Sequence, residues 1–289
     1  MNIRVNDWIS LKPDYLNHEH ISGNKLRKLK YNLINAKAKG FKTLLTFGGA
    51  FSNHIAAVAA AGKEYGFGTI GIIRGEELHN EFTHNPTLSF ASQYGMNLHY
   101  VSREAYRLKS SKEFVEALHQ KFGEFYLLPE GGTNDLAVKG CEEILQKDDF
   151  SFNYICCPVG TGGTISGVIN SSKAHQKVLG FPALKGDFLD NEIKKYTQKT
   201  NWELITNYHF GGYAKINEDL ISFINWFKTT YNIPLDPIYT GKMMYGLFKM
   251  KELGYFTSED KVLVIHTGGL QGIEGMNNKL KTKNLPLIL

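Results

Sequence analysis

Residues 22–29 read Ser-Gly-Asn-Lys-Leu-Arg-Lys-Leu and set one lysine, Lys25, directly behind a glycine turn. A helix is predicted from about Leu26, because apolar residues recur on one face of a 3.6-residue period as far as Ala36, and Gly40 is suited to end it. Three basic residues that follow Lys25 closely are interpreted as the solvent-facing side of this helix: Arg27, Lys28 and Lys30. Lys25 itself stands where the turn becomes the helix, which makes it a candidate for a functional role.

After this helix, apolar strands alternate with helices, and near-continuous apolar runs are typical of strands buried on both faces of a parallel sheet. Strands are predicted at 8–11, 43–47, 69–73, 97–101, 125–128, 154–159, 178–183, 202–205 and 261–266. Helices are predicted at 26–40, 52–65, from 86, at 104–121 and 136–145, after the loop 160–164, and at 187–198, 218–231 and 242–253.

This alternation predicts an α/β protein of two domains, each an open, twisted, mainly parallel sheet flanked by helices. Residues 28–128 are expected to form a small α/β domain, and residues 1–27 with 129–289 a larger domain that binds the ligand. The cleft between two such sheets is the expected ligand site.

Composition narrows the class of protein. The chain has 289 residues, 42% of them hydrophobic and 21% charged, with a formal charge of +5. No basic run interleaves with aromatic residues, so nucleic acid is not an expected partner. No apolar run has the length of a membrane span, and no apolar signal core follows the first residue. The chain has three cysteines, and an odd number with no secretory context indicates a reducing compartment, so a cytoplasmic location is expected.

Two glycine turns connect a predicted strand to a predicted helix. The first is Gly160-Thr161-Gly162-Gly163-Thr164, in which the backbone N–H groups and the helix dipole suit an anion. It lacks the ending of a nucleotide-phosphate loop, and no acidic residue ends the next strand as in a dinucleotide site. A simple strand-to-helix turn that needs positive φ remains an equal alternative.

The second turn is Gly48-Gly49-Ala50-Phe51-Ser52-Asn53-His54, where a helix opens with hydroxyl, amide and imidazole side chains in a row. Such a helix start is suited to a carboxylate, although Ser52 alone could be a helix N-cap. A hydrolase site is disfavoured because no Gly-x-Ser-x-Gly surrounds Ser52.

Other polar residues have ordinary structural alternatives. The His18-Glu19-His20 segment is interpreted as a solvated loop, because residues two apart do not share a helix face and no further ligand cluster completes a metal site. His266 could be a hydrogen-bonded core histidine. The loop residues Tyr213, Tyr239 and Thr267 could each be packing or turn residues.

Taken together, these segments resemble the fold-type II pyridoxal-phosphate enzymes of the tryptophan synthase β-subunit superfamily. They are most similar to the family of 1-aminocyclopropane-1-carboxylate deaminases and D-cysteine desulfhydrases. The specific features are Gly-Asn-Lys-x-Arg-Lys at 23–28 and Gly-Gly-x-x-Ser-Asn-His at 48–54, and the resemblance runs in consistent order from Ser22 to Gly269. It implies a homodimer that holds pyridoxal 5'-phosphate and acts on a small amino acid.

The resemblance also implies which residues meet the cofactor. Lys25 matches the lysine that holds it as a Schiff base, and Asn53 matches the asparagine beside its 3-hydroxyl. The loop 160–164 matches the phosphate cup. Tyr239 is expected beside the cofactor, and Thr267 matches the hydroxyl that faces the pyridine nitrogen.

On the substrate side, Ser52, Asn53 and His54 match residues that face the substrate. Ser52 is expected at its carboxylate or as a catalytic hydroxyl. Tyr213 and Tyr239 match the two active-site tyrosines, which could assist the leaving group. Lys25 is the expected general base, with a pKa lowered by burial.

The reaction within the family is expected to depend on two positions. By the resemblance, the deaminases carry glutamate after the second tyrosine and leucine at the later hydroxyl position, whereas the desulfhydrases carry threonine at both. This chain has Thr240 and Thr267, which favours β-elimination from a small amino acid, with D-cysteine giving pyruvate, ammonia and sulfide. Opening of 1-aminocyclopropane-1-carboxylate is the alternative, and a non-catalytic protein that binds the cofactor or a metabolite is a third hypothesis.

Overall fold

A computed structural model describes residues 1–80 and 82–289. The strands are β1 Ile3–Arg4, β2 Ile9–Lys12, β3 Thr43–Gly48, β4 Gly68–Arg74, β5 Met96–Val101, β6 Tyr126–Leu127, β7 Tyr154–Val159, β8 Lys177–Pro182, β9 Trp202–Leu204 and β10 Val262–Ile265. The α-helices are α1 Asn24–Ala38, α2 Asn53–Tyr65, α3 Pro86–Gln93, α4 Arg103–Arg107, α5 Lys112–Phe122, α6 Asp135–Cys141, α7 Gly163–Ser171, α8 Phe188–Lys194, α9 Glu218–Tyr231, α10 Thr240–Glu252 and α11 Gly272–Lys281.

The strands form two sheets. One has six strands in the order β1-β2-β10-β7-β8-β9, and all of its pairs are parallel except β1 with β2. The other has four parallel strands in the order β5-β4-β3-β6. The predicted α/β architecture with parallel sheets is therefore confirmed, while the domain boundaries at residues 28 and 128 stay a prediction.

Both faces of each sheet are covered, which explains the continuous apolar runs. In β10, Val262 and Val264 belong to one apolar cluster, while Leu263 and Ile265 belong to another on the opposite face. The four-stranded sheet is likewise flanked by two clusters. Among the described residues, no helix is both long enough and apolar enough to cross a membrane.

The prediction of a single helix at 104–121 is wrong, because this stretch forms two helices, α4 and α5. The side chain of Ser102 accepts a hydrogen bond from Ala105 N and caps α4, and that of Ser111 accepts one from Phe114 N and caps α5. A serine that bonds the backbone N–H three residues ahead starts a new helix instead of continuing the old one. Strand β1 and helix α11 were not predicted.

Helix α1 packs closely against α6, and this contact positions Lys25. A Cβ placed on Gly140 of α6 would stand only 2.0 Å from the carbonyl oxygen of Arg27, so glycine is needed at that crossing. The buried face of α1 carries Lys28 and Asn32 as well as apolar residues, and the interpretation of Lys28 as solvent-facing is wrong. Lys30 is exposed and pairs with Glu143 at 2.7 Å.

Candidate active site

The turn before Lys25 is held against the loop that follows β10. Gly23 has φ +66°, and a Cβ there would stand 1.9 Å from the carbonyl oxygen of Thr267. Asn24 donates its backbone N–H to the same oxygen at 3.2 Å and its side-chain amide to Thr164 Oγ1 at 2.8 Å. The structure thus brings together three of the predicted segments, at 22–25, 160–164 and 266–269.

Lys25 lies in the first turn of α1 and keeps a partial exposure. The pKa of Lys25 is lowered from the ordinary 10.5 to about 7. Burial is the main cause of this lowering, and the nearby charge of Lys28 is the second. The lowering expected from the sequence is confirmed. A large fraction of the Lys25 amine is consequently neutral at physiological pH, as a nucleophile or a base must be.

Lys28, one helical turn further along, is a site residue that the sequence interpretation missed. It is 2% exposed. Its ammonium donates to Gly131 O and Thr133 Oγ1, each at 3.0 Å, and to Thr161 Oγ1 at 3.4 Å. All three acceptors are neutral, and burial lowers the pKa of Lys28. A buried cation beside the glycine loop with no carboxylate among these partners is suited to an anionic ligand. The three-residue spacing from Lys25 was the available signal, since it places both lysines on one side of the helix.

The loop from β3 to α2 supplies the second group of candidate residues. Ser52 caps α2, its side chain accepting from Ile55 N at 3.3 Å, so the N-cap alternative is confirmed. Asn53 Oδ1 is buried without a hydrogen-bond partner, and the ring nitrogens of His54 are buried with no well-aligned partner, the backbone of Pro129 being the acceptor that acts on the ring. Buried polar atoms almost always have well-aligned partners, so these three atoms indicate a place for a ligand.

His54 is held as a neutral imidazole. It is 2% exposed, and a Cβ on Gly132 would stand 2.7 Å from its ring. Burial, together with the charges of Lys25 and Lys28, lowers its pKa well below the ordinary value. His54 therefore faces two lysines without adding a third positive charge to the site.

The glycine loop has the shape that its sequence predicts. Gly162 has φ +87° and precedes the first turn of α7, whose N–H groups point away from the helix. Gly163 lies against Thr133, since a Cβ on it would stand 2.7 Å from the Thr133 hydroxyl oxygen. Gly160 lies beneath Tyr239, where a Cβ would stand 3.2 Å from the ring.

Tyr213 and Tyr239 face each other, with ring centroids 6.3 Å apart in an edge-to-face arrangement. Tyr213 is 39% exposed, whereas Tyr239 lies deeper. Burial raises the pKa of both hydroxyls, of Tyr239 the more strongly. Both hydroxyls are protonated at neutral pH and can donate a proton.

The two threonines differ in a way that the sequence does not show. Thr240 Oγ1 donates to Asp236 Oδ2 at 2.7 Å and accepts from Asp236 N at 2.9 Å, so it belongs to the start of α10. Asp236 also accepts from the backbone N–H groups of Ile238, Tyr239 and Thr240. Thr267 is 7% exposed, and its hydroxyl has no hydrogen-bond partner within the described part of the chain.

His266 has a structural role. Its Nε2 lies 2.8 Å from Pro234 O, and Gly268 N donates to its Nδ1 at 3.3 Å. Both ring nitrogens are thus satisfied, and the ring is fully buried. The interpretation of His266 as a core histidine is confirmed.

The chain is similar in sequence and in structure to known proteins. A family profile described as pyridoxal-phosphate dependent enzyme matches residues 2–268. A protein of Pyrococcus horikoshii, provisionally named 1-aminocyclopropane-1-carboxylate deaminase, is 30% identical, with 94% of this chain and 87% of that protein covered. The bifunctional D-cysteine desulfhydrase/1-aminocyclopropane-1-carboxylate deaminase of Arabidopsis thaliana is 30% identical over 92% of this chain and 73% of its own. The crystal structure of an ACC deaminase homologue superposes with a TM-score of 0.82 at 29% identity, over 95% of this chain and 88% of the other.

Proposed function

Because the chain belongs to the family of pyridoxal-phosphate-dependent enzymes, we propose that it is a lyase that eliminates a β-substituent from a small amino acid. The preferred reaction is the conversion of D-cysteine to pyruvate, ammonia and sulfide. The observation that carries this choice is the pair of threonines, with the Thr240 hydroxyl bound to Asp236 and the Thr267 hydroxyl without a partner among the described residues.

The residues present fit the cofactor. The partly neutral amine of Lys25 suits its aldehyde, and the unpaired Asn53 Oδ1 suits a hydroxyl donor such as the one on its ring. The buried ammonium of Lys28, the hydroxyl of Thr161 and the start of α7 suit its phosphate. Bound pyridoxal phosphate supplies an electron sink that stabilises negative charge at the substrate α-carbon.

The chain's own residues supply binding and proton transfer. Lys25 Nζ accepts the proton from the α-carbon, since its pKa of about 7 leaves enough neutral amine at neutral pH. The hydroxyl hydrogen of Ser52 and the N–H groups at the start of α2 hold the substrate carboxylate. Either tyrosine hydroxyl can give a proton to the departing sulfur, because burial keeps Tyr213 and Tyr239 protonated.

The threonines support elimination over ring opening. A carboxylate against the ring nitrogen would keep that nitrogen protonated, and the positively charged ring would then withdraw electrons strongly, as cyclopropane opening requires. Asp236 is buried beside Gly269, two residues after Thr267, but its two oxygens already accept four hydrogen bonds from residues 238–240. The neutral hydroxyl of Thr267 then remains the group for the ring nitrogen.

The deaminase is the second candidate, and the names of the relatives favour it. The Pyrococcus horikoshii protein is named for 1-aminocyclopropane-1-carboxylate deamination alone, and the Arabidopsis thaliana enzyme for both activities. The homodimer and the cytoplasmic location expected from the sequence remain part of the proposal.

The first experiment tests the cofactor and its lysine. Purified protein is mixed with pyridoxal phosphate, reduced with borohydride and digested, and the labelled peptide is identified by mass spectrometry. The label should lie on Lys25 and be absent from Lys25→Ala, whereas Lys30→Ala, which changes an exposed lysine of the same helix, should label normally. A protein that takes up no cofactor would refute both enzyme hypotheses.

The second experiment separates the two substrates. D-Cysteine and 1-aminocyclopropane-1-carboxylate are assayed side by side, with sulfide and 2-ketobutyrate as the products measured. Ketobutyrate without sulfide would overturn the preferred reaction. Thr240→Glu combined with Thr267→Leu should shift activity toward the cyclopropane substrate, and an unchanged ratio would show that these positions do not determine the reaction.

A further inference from the structure

The segment that carries Tyr213 has a backbone that needs support. Two non-glycine residues in it have positive φ, Phe210 and Ala214, each at 54°. Gly211 and Gly212 between them are at 87° and 114°. Left-handed backbone at residues other than glycine is unfavourable and persists only where surrounding contacts enforce it.

Some of these contacts lie within the segment, where Gly211 N donates to His209 Nδ1 at 2.9 Å and Lys215 N to Gly212 O at 3.2 Å. The side-chain contact from outside it that binds two of its carbonyls is made by Lys242, a residue of the first turn of α10. Its ammonium donates to the carbonyl oxygens of His209 at 2.9 Å and Gly212 at 2.7 Å, which lie on the N-terminal side of Tyr213. The residue is 2% exposed, and burial lowers its pKa to about 8, which the charge of Asp236 opposes without a hydrogen bond to Lys242. A buried ammonium is costly, so its two short hydrogen bonds hold it, and the strained segment, in one geometry.

Lys242 also connects the two tyrosines. Tyr239 directly precedes α10, and its carbonyl accepts from Met243 N at 3.1 Å, so Tyr239 and Lys242 share one rigid helical turn. The Tyr213 segment is attached to that turn through the Lys242 ammonium. The two rings that meet edge to face at 6.3 Å are thus linked through a lysine whose hydrogen bonds go to backbone carbonyls.

We propose that Lys242 is a positioning residue for the reaction, which holds Tyr213 against Tyr239 through the backbone carbonyls of residues 209 and 212. This inference rests on the proposed function, in which one of the two tyrosine hydroxyls gives a proton to the leaving group. Lys242 acts on the arrangement of the pair and not on cofactor uptake or substrate affinity.

The test uses Lys242→Met, which keeps the side-chain volume and removes both hydrogen bonds. The matched control is Lys249→Met on the exposed side of the same helix, where Lys249 pairs with Glu252. With whichever of the two substrates is turned over, kcat of Lys242→Met should fall at least about tenfold, with KM within about twofold. Tyr213→Phe should lower kcat as well, and the double variant Lys242→Met/Tyr213→Phe should be no slower than Tyr213→Phe alone.

Amide hydrogen exchange gives a readout that does not depend on turnover. With and without cofactor, Lys242→Met should speed exchange in residues 209–216 and leave α9 unchanged, and Lys249→Met should change neither. If the protein takes up no cofactor, the proposed function fails, while the exchange result still decides whether Lys242 holds the segment.

Three results would overturn the inference. They are unchanged exchange in residues 209–216, a double variant whose loss equals the product of the two single losses, and a general rise in exchange that shows only a loss of stability. Should Lys242→Met not fold, Gly212→Ala strains the same segment at φ +114°, where a Cβ meets nothing closer than 3.7 Å. It should lower kcat in the same non-additive way with Tyr213→Phe, and full activity of Gly212→Ala would refute the positioning role.

Discussion

The lowered pKa of Lys25 leads to a measurable reactivity. With a pKa of about 7, half of the Lys25 side chains are neutral at pH 7, compared with about 1 in 3,000 at the ordinary value of 10.5. Only the neutral amine attacks an acylating reagent. Labelling of Lys25 in the cofactor-free protein should accordingly reach half of its maximum near pH 7, while an exposed lysine is still gaining reactivity at about pH 9.

The same experiment separates the two causes of the lowering. Lys28→Met removes the like charge but leaves the burial, so the half-labelling pH of Lys25 should rise and still stay below 10.5. Lys30→Met is the matched control, because Lys30 is exposed and pairs with Glu143. The assay is competitive labelling with trace acetic anhydride across a pH series, followed by mass spectrometry of the peptide that contains Lys25.

Two results would refute this reasoning. Half-labelling of Lys25 above about pH 9 would mean that burial does not disfavour its charge. An equal effect of Lys28→Met and Lys30→Met would mean that the buried ammonium of Lys28 does not act on Lys25.

The pH dependence of stability is an independent test of the direction of the Lys25 pKa shift. Between about pH 7 and 10.5 the unfolded chain holds a proton on Lys25 that the folded chain has released, so the free energy of unfolding rises with pH across that window. Lys25→Met removes this contribution, and its urea-unfolding free energy should rise less between about pH 7 and 9 than that of the unchanged protein.

Two further tests measure the free energy of urea unfolding, one for a close backbone contact and one for a buried ion pair, each with a control variant. Gly23→Ala forces a Cβ to 1.9 Å from a backbone oxygen, and it should cost about 3 kcal/mol or more or prevent folding. Gly40→Ala has the same left-handed backbone in open space and should cost only about 1 kcal/mol, so equal losses would refute the steric argument. Lys12→Met removes the cation 2.7 Å from the buried carboxylate of Asp149, which keeps hydrogen bonds from Asn2 and Gln146, and it should cost about 3 kcal/mol. Lys195→Met breaks an exposed pair and should cost less than about 1 kcal/mol, and a similar loss in both variants would contradict the role of burial.

The architecture could be predicted from the sequence because strands that are buried on both faces of a sheet appear as continuous apolar runs. The run predicted as a strand at 43–47 is β3, which extends by one residue to Gly48, and the glycines that follow it open the loop of Ser52 and Asn53. Helix boundaries were harder to predict where a polar cap interrupts an otherwise helical pattern. In the sequence, Ser111 does not differ from any other surface serine. Only the hydrogen bond that its side chain accepts from Phe114 N shows that it starts a helix.

The candidate site could be predicted in part for the same physical reason. Glycine turns after buried strands identified the loops, but a lysine on a helix gives no sign in the sequence of whether it faces water. Lys28 was assigned to the exposed side because charged residues are seldom buried. Its acceptors, Gly131, Thr133 and Thr161, lie more than 100 positions away in the sequence, so its burial depends on tertiary contacts that a local pattern does not contain.

Residue identity alone makes Thr240 and Thr267 two equivalent hydroxyls, and the structure shows why they are not. The proton of the Thr240 hydroxyl is donated to Asp236, so Thr240 acts through the shape of the α10 start, whereas Thr267 has a hydroxyl to offer a ligand. A glutamate at position 240 would place a second carboxylate beside the buried Asp236 and would remove the hydroxyl that donates to it at 2.7 Å. Such a change would disturb all the hydrogen bonds that hold residues 236–240 together. We therefore expect the choice between elimination and ring opening to depend on this turn together with Thr267, and not on one side chain.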